Sequence, residues 1–352
     1  MFADIYRSRR VLVTGHTGFK GSWLALWLRQ LGAEVCGVAL SMPSPNHWES
    51  LKLEIRSEMA DICDLALLLR VFGDFKPEIV FHLAAQPLVL DSYRDPVGTF
   101  RTNVMGTVNV LEGCRRMPSV RAAVVVTSDK CYENRGGERC RESDPMGGFD
   151  PYSASKGCAE LVVSSYRRSF FGDGPLVASA RAGNAVGGGD WGADRLVPDI
   201  MRAAAAGRPA AIRNPGAVRP WQHVLDPLSG YLALGQRLLE GRRGFAGAWN
   251  FGPDASGVTV GELVGMLSAA YPEISFETAG RTEAPHEASS LCLDCSKARE
   301  LLQWRPVWTT AQAAERTARW YRNRRLSGRG GSLDDLNEYV AAARREGLEW
   351  TV

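Results

Sequence analysis

The run Val11-Leu12-Val13-Thr14-Gly15-His16-Thr17-Gly18-Phe19-Lys20-Gly21 constrains the fold more than any other stretch. Its apolar start reads as a short buried strand. Leu24, Leu28 and Leu31, with Trp23 and Trp27, follow at helical spacing. Between strand and helix, glycines stand at GxxGxxG spacing. Glycine permits the tight turn, lets backbone approach a pyrophosphate, and lets the helix pack closely on the strand. The helix start then presents N–H groups and a positive dipole end to phosphate. In this context Gly15, Thr17, Gly18, Phe19, Lys20 and Gly21 are the candidate dinucleotide-binding turn.

The same rhythm continues along the first half. Glu34 to Leu40, Glu78 to Leu83, Val120 to Thr127 and Leu176 to Arg181 carry strand signals. Ser22 to Leu31, closed by Gly32, and then Val97 to Cys114 and Tyr152 to Phe171 carry helical ones. This alternation predicts an α/β fold: a doubly wound parallel Rossmann sheet with a smaller mixed α/β substrate lobe. The length of 352 residues allows about two units of roughly 150 residues. Residues 1–183 are assigned to the dinucleotide-binding domain. Residues 184–325 form the second lobe with returns to the sheet, and 326–352 a tail. Helices are expected at Leu196 to Ala206, Pro227 to Leu239, Val260 to Tyr271 and Leu333 to Arg345. The arginine-rich stretch 311–325 reads as a solvated helix face.

Composition removes several classes. Lys plus Arg number 42 against 39 Asp plus Glu, a net charge of +3, which argues against nucleic acid as a partner. No run of 18 apolar residues exists, and Asp4, Arg7, Arg9 and Arg10 interrupt the N-terminus, so neither a membrane span nor a secretory leader is expected. Eight scattered cysteines read as free thiols in a reducing cytoplasm. Cys292-Leu293-Asp294-Cys295 lacks the second pair that zinc needs, so no metal site is expected.

Tyr152 and Lys156 stand at i and i+4, on one helix face. An ammonium beside a phenol favours the phenolate, the base needed to take a hydroxyl proton as hydride leaves the same carbon. Lys156 can also hold a nicotinamide ribose. Ser128-Asp129-Lys130 ends a strand where a doubly wound sheet meets its ligand. Ala84, Ala85, Gln86 and Asn103 fall near the same crevice, and Asp61-Ile62 is a candidate contact for an adenine amino group. No acid ends the second strand at Ser41, so the expected cofactor is NAD with NADP not excluded.

The turn and the Tyr-Lys pair resemble the extended short-chain dehydrogenase/reductase superfamily. Longer strings resemble its nucleotide-sugar dehydratase branch, the CDP-glucose 4,6-dehydratases. These are Thr14 to Trp23, Thr127-Ser128-Asp129-Lys130-Cys131-Tyr132, Pro145 to Ser153, Arg181-Ala182-Gly183-Asn184, Gly187-Gly188-Gly189-Asp190-Trp191 and Arg219-Pro220-Trp221-Gln222-His223-Val224. The resemblance spans residues 8–325. It departs near Ser41, where the family usually has an acid, and near Leu90, where it usually has an arginine.

The resemblance implies a small-molecule nucleotide-sugar substrate and an internal hydride cycle. Tyr152 would deprotonate the sugar 4-hydroxyl as hydride leaves carbon 4. Water would be lost across carbons 5 and 6, and hydride would return to carbon 6, giving CDP-4-keto-6-deoxyglucose. Asp129 would be the acid for the leaving hydroxyl, protonated through burial, and Ser128 would bond the 4-oxygen. Lys130 would be either the base at carbon 5 or an electrostatic stabiliser of the enolate. Asn184, Arg195, Arg213, Arg219 and His286 would hold the nucleotide and sugar. A homodimer or higher homo-oligomer is implied. Two rivals remain: a dehydratase or epimerase for another nucleotide, and a non-catalytic dinucleotide sensor.

Overall fold

Val11, Leu12 and Val13 are wholly buried because β1 (Arg10–Thr14) runs through the middle of a seven-stranded sheet. The computed structural model describes residues 1–133, 139–253, 257–278 and 292–352. The other sheet strands are β2 (Glu34–Ala39), β3 (Arg56–Met59), β4 (Ile79–His82), β5 (Ala122–Val126), β6 (Leu176–Ala182) and β7 (Ala248–Phe251). They lie in the order β7-β6-β5-β4-β1-β2-β3, and every pairing is parallel. The order reverses between β1 and β4, so a crevice opens at their carboxyl ends, where ligands of doubly wound sheets bind. Thr14 pairs with His82 there, which sets the glycine turn beside the exit of β4.

The doubly wound parallel sheet follows the sequence expectation, although neither β3 nor β7 is long or regular enough to be marked by an alternating apolar pattern. β3 has Arg56, Ser57 and Met59 exposed because it is an edge strand, so no buried alternation marks it. β7 is four residues long and is one of the expected returns from the second lobe.

Among the described residues the helices of ten residues or more are α1 (Phe19–Gln30), α2 (Leu65–Phe75), α3 (Gly106–Arg116), α4 (Pro151–Ser169), α5 (Leu196–Ala205), α6 (Leu225–Leu239), α7 (Val260–Ala270), α8 (Thr310–Ser327) and α9 (Ser332–Arg345). α1 starts at Phe19, ahead of the expected Ser22, because Gly18 is its N-cap, and Gly32 takes φ +76 just past its end. The helix expected from Val97 is composite: Pro96–Phe100 runs through a π-helical turn, Arg101–Met105, into α3. Such turns recur at functional sites.

One sheet face is covered by α1, α6 and α9, whose core includes Trp23, Trp27, Leu228, Tyr231, Leu336 and Tyr339. The other is covered by α2, α3 and α4, with Leu68, Phe72, Leu111 and Val163. α5, α7 and α8 build a separate small core around Ile200, Leu263, Ala318 and Trp320. The chain ends meet: the Phe2 and Trp350 rings stack at 5.2 Å, and the Ala3 amide donates to the Val352 carbonyl at 2.9 Å. The arginine-rich α8 is pinned to α9 by ion pairs of Arg316 and Arg319 with Asp335 and Glu338. Among the described residues no helix is long and apolar enough to cross a membrane.

Candidate active site

The glycine turn is shaped by close backbone approaches. A Cβ on Gly21 would lie 2.0 Å from the Gly15 carbonyl oxygen, and one on Gly15 would lie 2.7 Å from the Ala84 nitrogen. Gly15 also takes φ +78, the left-handed region. Its amide donates to the Val38 carbonyl at 2.7 Å, and the Thr17 hydroxyl donates to the Leu40 carbonyl at 2.9 Å. These bonds hold the turn against the end of β2. Gly18 offers no side chain to cap α1. The first amides of the helix therefore have no side-chain acceptor, and a pyrophosphate fits that end without displacing any cap.

The end of β5 presents the next group. Ser128 caps a 3-10 turn over Asp129–Cys131: its hydroxyl accepts from the Lys130 amide at 3.2 Å and donates to Asp129 Oδ1 at 3.0 Å. Asp129 is buried, at 4% exposure. A Cβ on Gly183 would stand 2.8 Å from Asp129 Oδ2, so the residue after β6 must be glycine for the carboxyl to sit there. Lys130 is half-buried.

α4 brings the Tyr-Lys pair to the same place. Asp150 caps it by accepting from the Ser153 amide at 2.9 Å, and Pro151 opens its first turn. Tyr152 and Lys156 are both buried. Burial pushes the Tyr152 phenol up to about 12, although a hydrogen bond with Ser128 and the charge of Arg195 pull the other way. The phenol thus stands above its ordinary value, with burial the dominant influence. The Lys156 ammonium lies 3.4 Å from the Val126 carbonyl. Burial and the neighbouring Lys20 push it down to about 8. The physical reason is that desolvation penalises both charged forms, and in a dry site it outweighs a helix-face neighbour. Lys20 is likewise pushed down to about 8 by burial, against the pull of Asp129.

The remaining expected residues divide by role. Asn103 is a buried peg. Its Nδ2 donates to the Gln86 carbonyl at 3.1 Å and to Ser155 Oγ at 2.8 Å, while its Oδ1 accepts from the Gln86 amide at 2.8 Å. It thus clamps the Ala84-Ala85-Gln86 loop to α4, and Ser155 in turn donates to the Tyr152 carbonyl at 2.6 Å. Asp61 accepts from the Cys63 amide at 2.8 Å; Ile62 is buried beneath Gly106, and its carbonyl accepts from Asn109 at 2.9 Å. Arg195 Nη1 lies 3.1 Å from Asp190 Oδ2, within electrostatic reach of Tyr152. Asn184 accepts from the Gln222 amide through its carbonyl at 3.1 Å. Arg219 lies on a two-residue strand, Val218–Arg219, just before Pro220, which lines a small cavity with Gly183, Gly252 and Leu293. Arg213 is exposed beyond the strand Ala210–Ile212, within electrostatic reach of Asp199 on α5. His286 lies outside the described residues. Near Leu90, Arg94 is paired with Asp91 on the surface.

Sequence reasoning passed over Asp190, Gly183, Tyr132, Glu160 and Arg181. Four of them stand in the quoted strings. Asp190 apart, which pairs with Arg195 five residues on, their roles are hidden there because each acts on a residue far away in the chain.

The sequence model of the NAD dependent epimerase/dehydratase family matches residues 11–251. A CDP-glucose 4,6-dehydratase of Salmonella typhimurium is 48% identical over 330 residues, covering 91% of this chain and 92% of that protein. The fold superimposes on an epimerase of Methanothermobacter thermautotrophicus with a TM-score of 0.82 at 26% identity, covering 92% of this chain and 95% of the other. It superimposes on the dTDP-glucose 4,6-dehydratase of Streptomyces venezuelae, solved with NAD and TYD, with a TM-score of 0.78 at 27% identity over 90% and 98% of the two chains. The glycine turn, the Tyr-Lys helix and the Ser-Asp-Lys turn converge on the crevice of such a sheet, and the chain belongs to the NAD dependent epimerase/dehydratase family.

Proposed function

We propose that this protein is a CDP-D-glucose 4,6-dehydratase, a hydro-lyase that converts CDP-glucose to CDP-4-keto-6-deoxyglucose and water. The observation that carries the reading is the meeting of Tyr152, Ser128 and Asp129 at one buried point, beside Lys156 and Lys20. That set can handle protons at adjacent carbons of one hexose. NAD, when bound in the crevice, would supply a hydride acceptor that is regenerated within the same cycle.

Gly15, Thr17, Gly18, Phe19, Lys20 and Gly21 hold the pyrophosphate, Asp61 and Ile62 face the adenine, and Ala84, Ala85 and Gln86 line the path between. Lys156 holds the nicotinamide ribose. Tyr152 takes the proton of the 4-hydroxyl, and Ser128 donates to the resulting oxygen. Asp129, shielded from water, protonates the departing 6-hydroxyl. Lys130 removes the carbon 5 proton. Arg195 and Arg219 carry cations suited to the substrate diphosphate, with Asn184, Arg213 and His286 around the nucleotide sugar. We place the enzyme in the cytoplasm, in keeping with Cys36, Cys63, Cys114, Cys131, Cys140, Cys158 and Cys295 standing as free thiols. We also propose a homodimer through the helices that expose Val97, Met105 and Leu161; a sedimentation profile holding only monomer removes that assembly.

Incubation with CDP-, UDP-, GDP- and dTDP-glucose, followed by the absorbance of 4-keto sugars in base, tests the assignment. Turnover of the CDP sugar above the others is expected. Reaction with another nucleotide alone overturns it. Tyr152→Phe should lower kcat by about a hundred- to ten-thousand-fold.

A further inference from the structure

Glu160 stands one turn beyond Lys156 on α4, and both its oxygens are bonded. Oε1 accepts from the Thr127 hydroxyl; Oε2 accepts from the Ser179 hydroxyl at 2.7 Å and from Arg181 Nη2 at 2.8 Å. Both side chains of the Glu160–Arg181 pair are 4% exposed. Arg181 Nη1 donates onward to the Tyr132 hydroxyl at 2.6 Å, and the guanidinium lies 4.8 Å from the centre of that ring. The Tyr132 hydroxyl donates to Asn250 Oδ1 at 2.7 Å, and Asn250 Nδ2 donates to the carbonyls of Cys140 at 2.9 Å and Asp294 at 3.1 Å. One buried network therefore ties α4, the ends of β5 and β6, and β7.

Its members are spaced along the chain in a telling way. Thr127 immediately precedes Ser128. Tyr132 follows Lys130 by two residues. Arg181 precedes by two residues Gly183, whose missing side chain leaves room for the Asp129 carboxyl. Glu160 is a helical turn from Lys156. Buried ion pairs add little net stability over apolar replacements, because both charges lose their water. A densely hydrogen-bonded polar network, in which Arg181 Nε alone of the guanidinium nitrogens lacks a partner among the described residues, instead favours a single arrangement. Catalysis is sensitive to that arrangement, since a misplacement of about 1 Å can cost about a hundredfold in rate.

We propose that the Glu160–Arg181 pair, with the hydroxyls of Thr127 and Tyr132, positions the catalytic groups: it holds the Ser128–Lys130 turn in register with the Tyr152–Lys156 face of α4. These are positioning residues that act through Ser128, Asp129, Lys130 and Lys156. The activity readout rests on the dehydratase reading above; the backbone readout rests on the fold alone.

Removing either charge would strand its buried partner and threaten folding. Tyr132→Phe and Thr127→Val each delete one hydroxyl while keeping the shape. Each variant and the wild type are compared in turnover of CDP-glucose and in amide hydrogen exchange. The expected result is a kcat lower by about tenfold or more with KM nearly unchanged, and faster exchange across 128–132 with β1 and β2 as protected as in the wild type. Wild-type exchange in that turn overturns the proposal, as does faster exchange with undiminished kcat. Loosening spread evenly over the whole sheet also overturns it, because that marks general destabilisation. If the wild type itself leaves CDP-glucose unchanged, the dehydratase reading falls and the exchange data still decide the positioning claim.

Discussion

As the proposed base, Tyr152 must give up a proton in surroundings that hold its phenol near 12. Ser128 and Arg195 oppose the burial, and an ammonium at Lys156, one turn along the same helix face, favours the phenolate that proton abstraction requires. Lys130 poses the sharper chemical question at this scale, because an ammonium removes a proton only after losing its own. Substituting Lys130→Gln and Lys130→Arg separates the two roles. A guanidinium keeps its charge at any working pH, with a pKa above about 12, and so cannot act as a base. Both variants should lose on the order of a hundredfold or more in kcat. Near wild-type turnover by Lys130→Arg alone would show that charge, rather than proton transfer, is what this position supplies.

At the scale of elements, α1 and its turn work as one piece because three backbone segments approach without side chains between them. Gly21→Ala would force the helix away from the Gly15 carbonyl. Overpacking of this kind costs about 1–3 kcal/mol, and the displaced amides should weaken dinucleotide binding by about tenfold or more. Titration of bound dinucleotide by fluorescence measures it. Gly73→Ala on α2 is the matching control. Nothing lies within 4 Å of the added carbon. There the loss of backbone freedom in the unfolded chain should stabilise the protein by about 0.5–1 kcal/mol and leave binding alone. Equal dinucleotide affinity in Gly21→Ala and wild type would contradict the account of the turn.

For the whole molecule, the junction of α6, the Val307 segment and α9 turns on one carboxyl. Asp226 is fully buried; its Oδ1 accepts from the Val307 amide at 2.7 Å and the Tyr339 hydroxyl at 2.8 Å, while its Oδ2 has no hydrogen-bond partner among the described residues. Burial pushes it from 3.8 up to about 7, against amides of Val307, Trp308 and His223 that favour the ion. The native state therefore keeps a proton that the unfolded chain releases between about pH 4 and 7. Stability falls as pH rises through that window, by on the order of 4 kcal/mol at most. Asp226→Asn removes this dependence while keeping the acceptor. Its melting temperature relative to wild type should climb between pH 5 and pH 8. A gap that stays constant over that range would show that this carboxyl is ionised in the folded protein throughout.

Much of this was written locally in the chain. The strand, turn and helix around Gly15 to Gly21, the spacing of Tyr152 and Lys156, and the return to helix at Val260 all depend on residues within a turn or two of each other. Periodicity and glycine spacing report such relations directly. β3 escaped notice because an exposed edge strand buries no alternating face. The need for glycine at 183 depends on a carboxyl that chain distance conceals. The same holds for Glu160, whose partners arrive from β5 and β6. The state of the Tyr152 phenol could not be read from a helix-face rule, because burial is a property of everything packed around it. The sequence by itself determined most of the elements and the candidate reacting groups. Only the tertiary structure decided their dielectric surroundings and distant partners, since desolvation and long-range hydrogen bonds exist only once separated segments have come together.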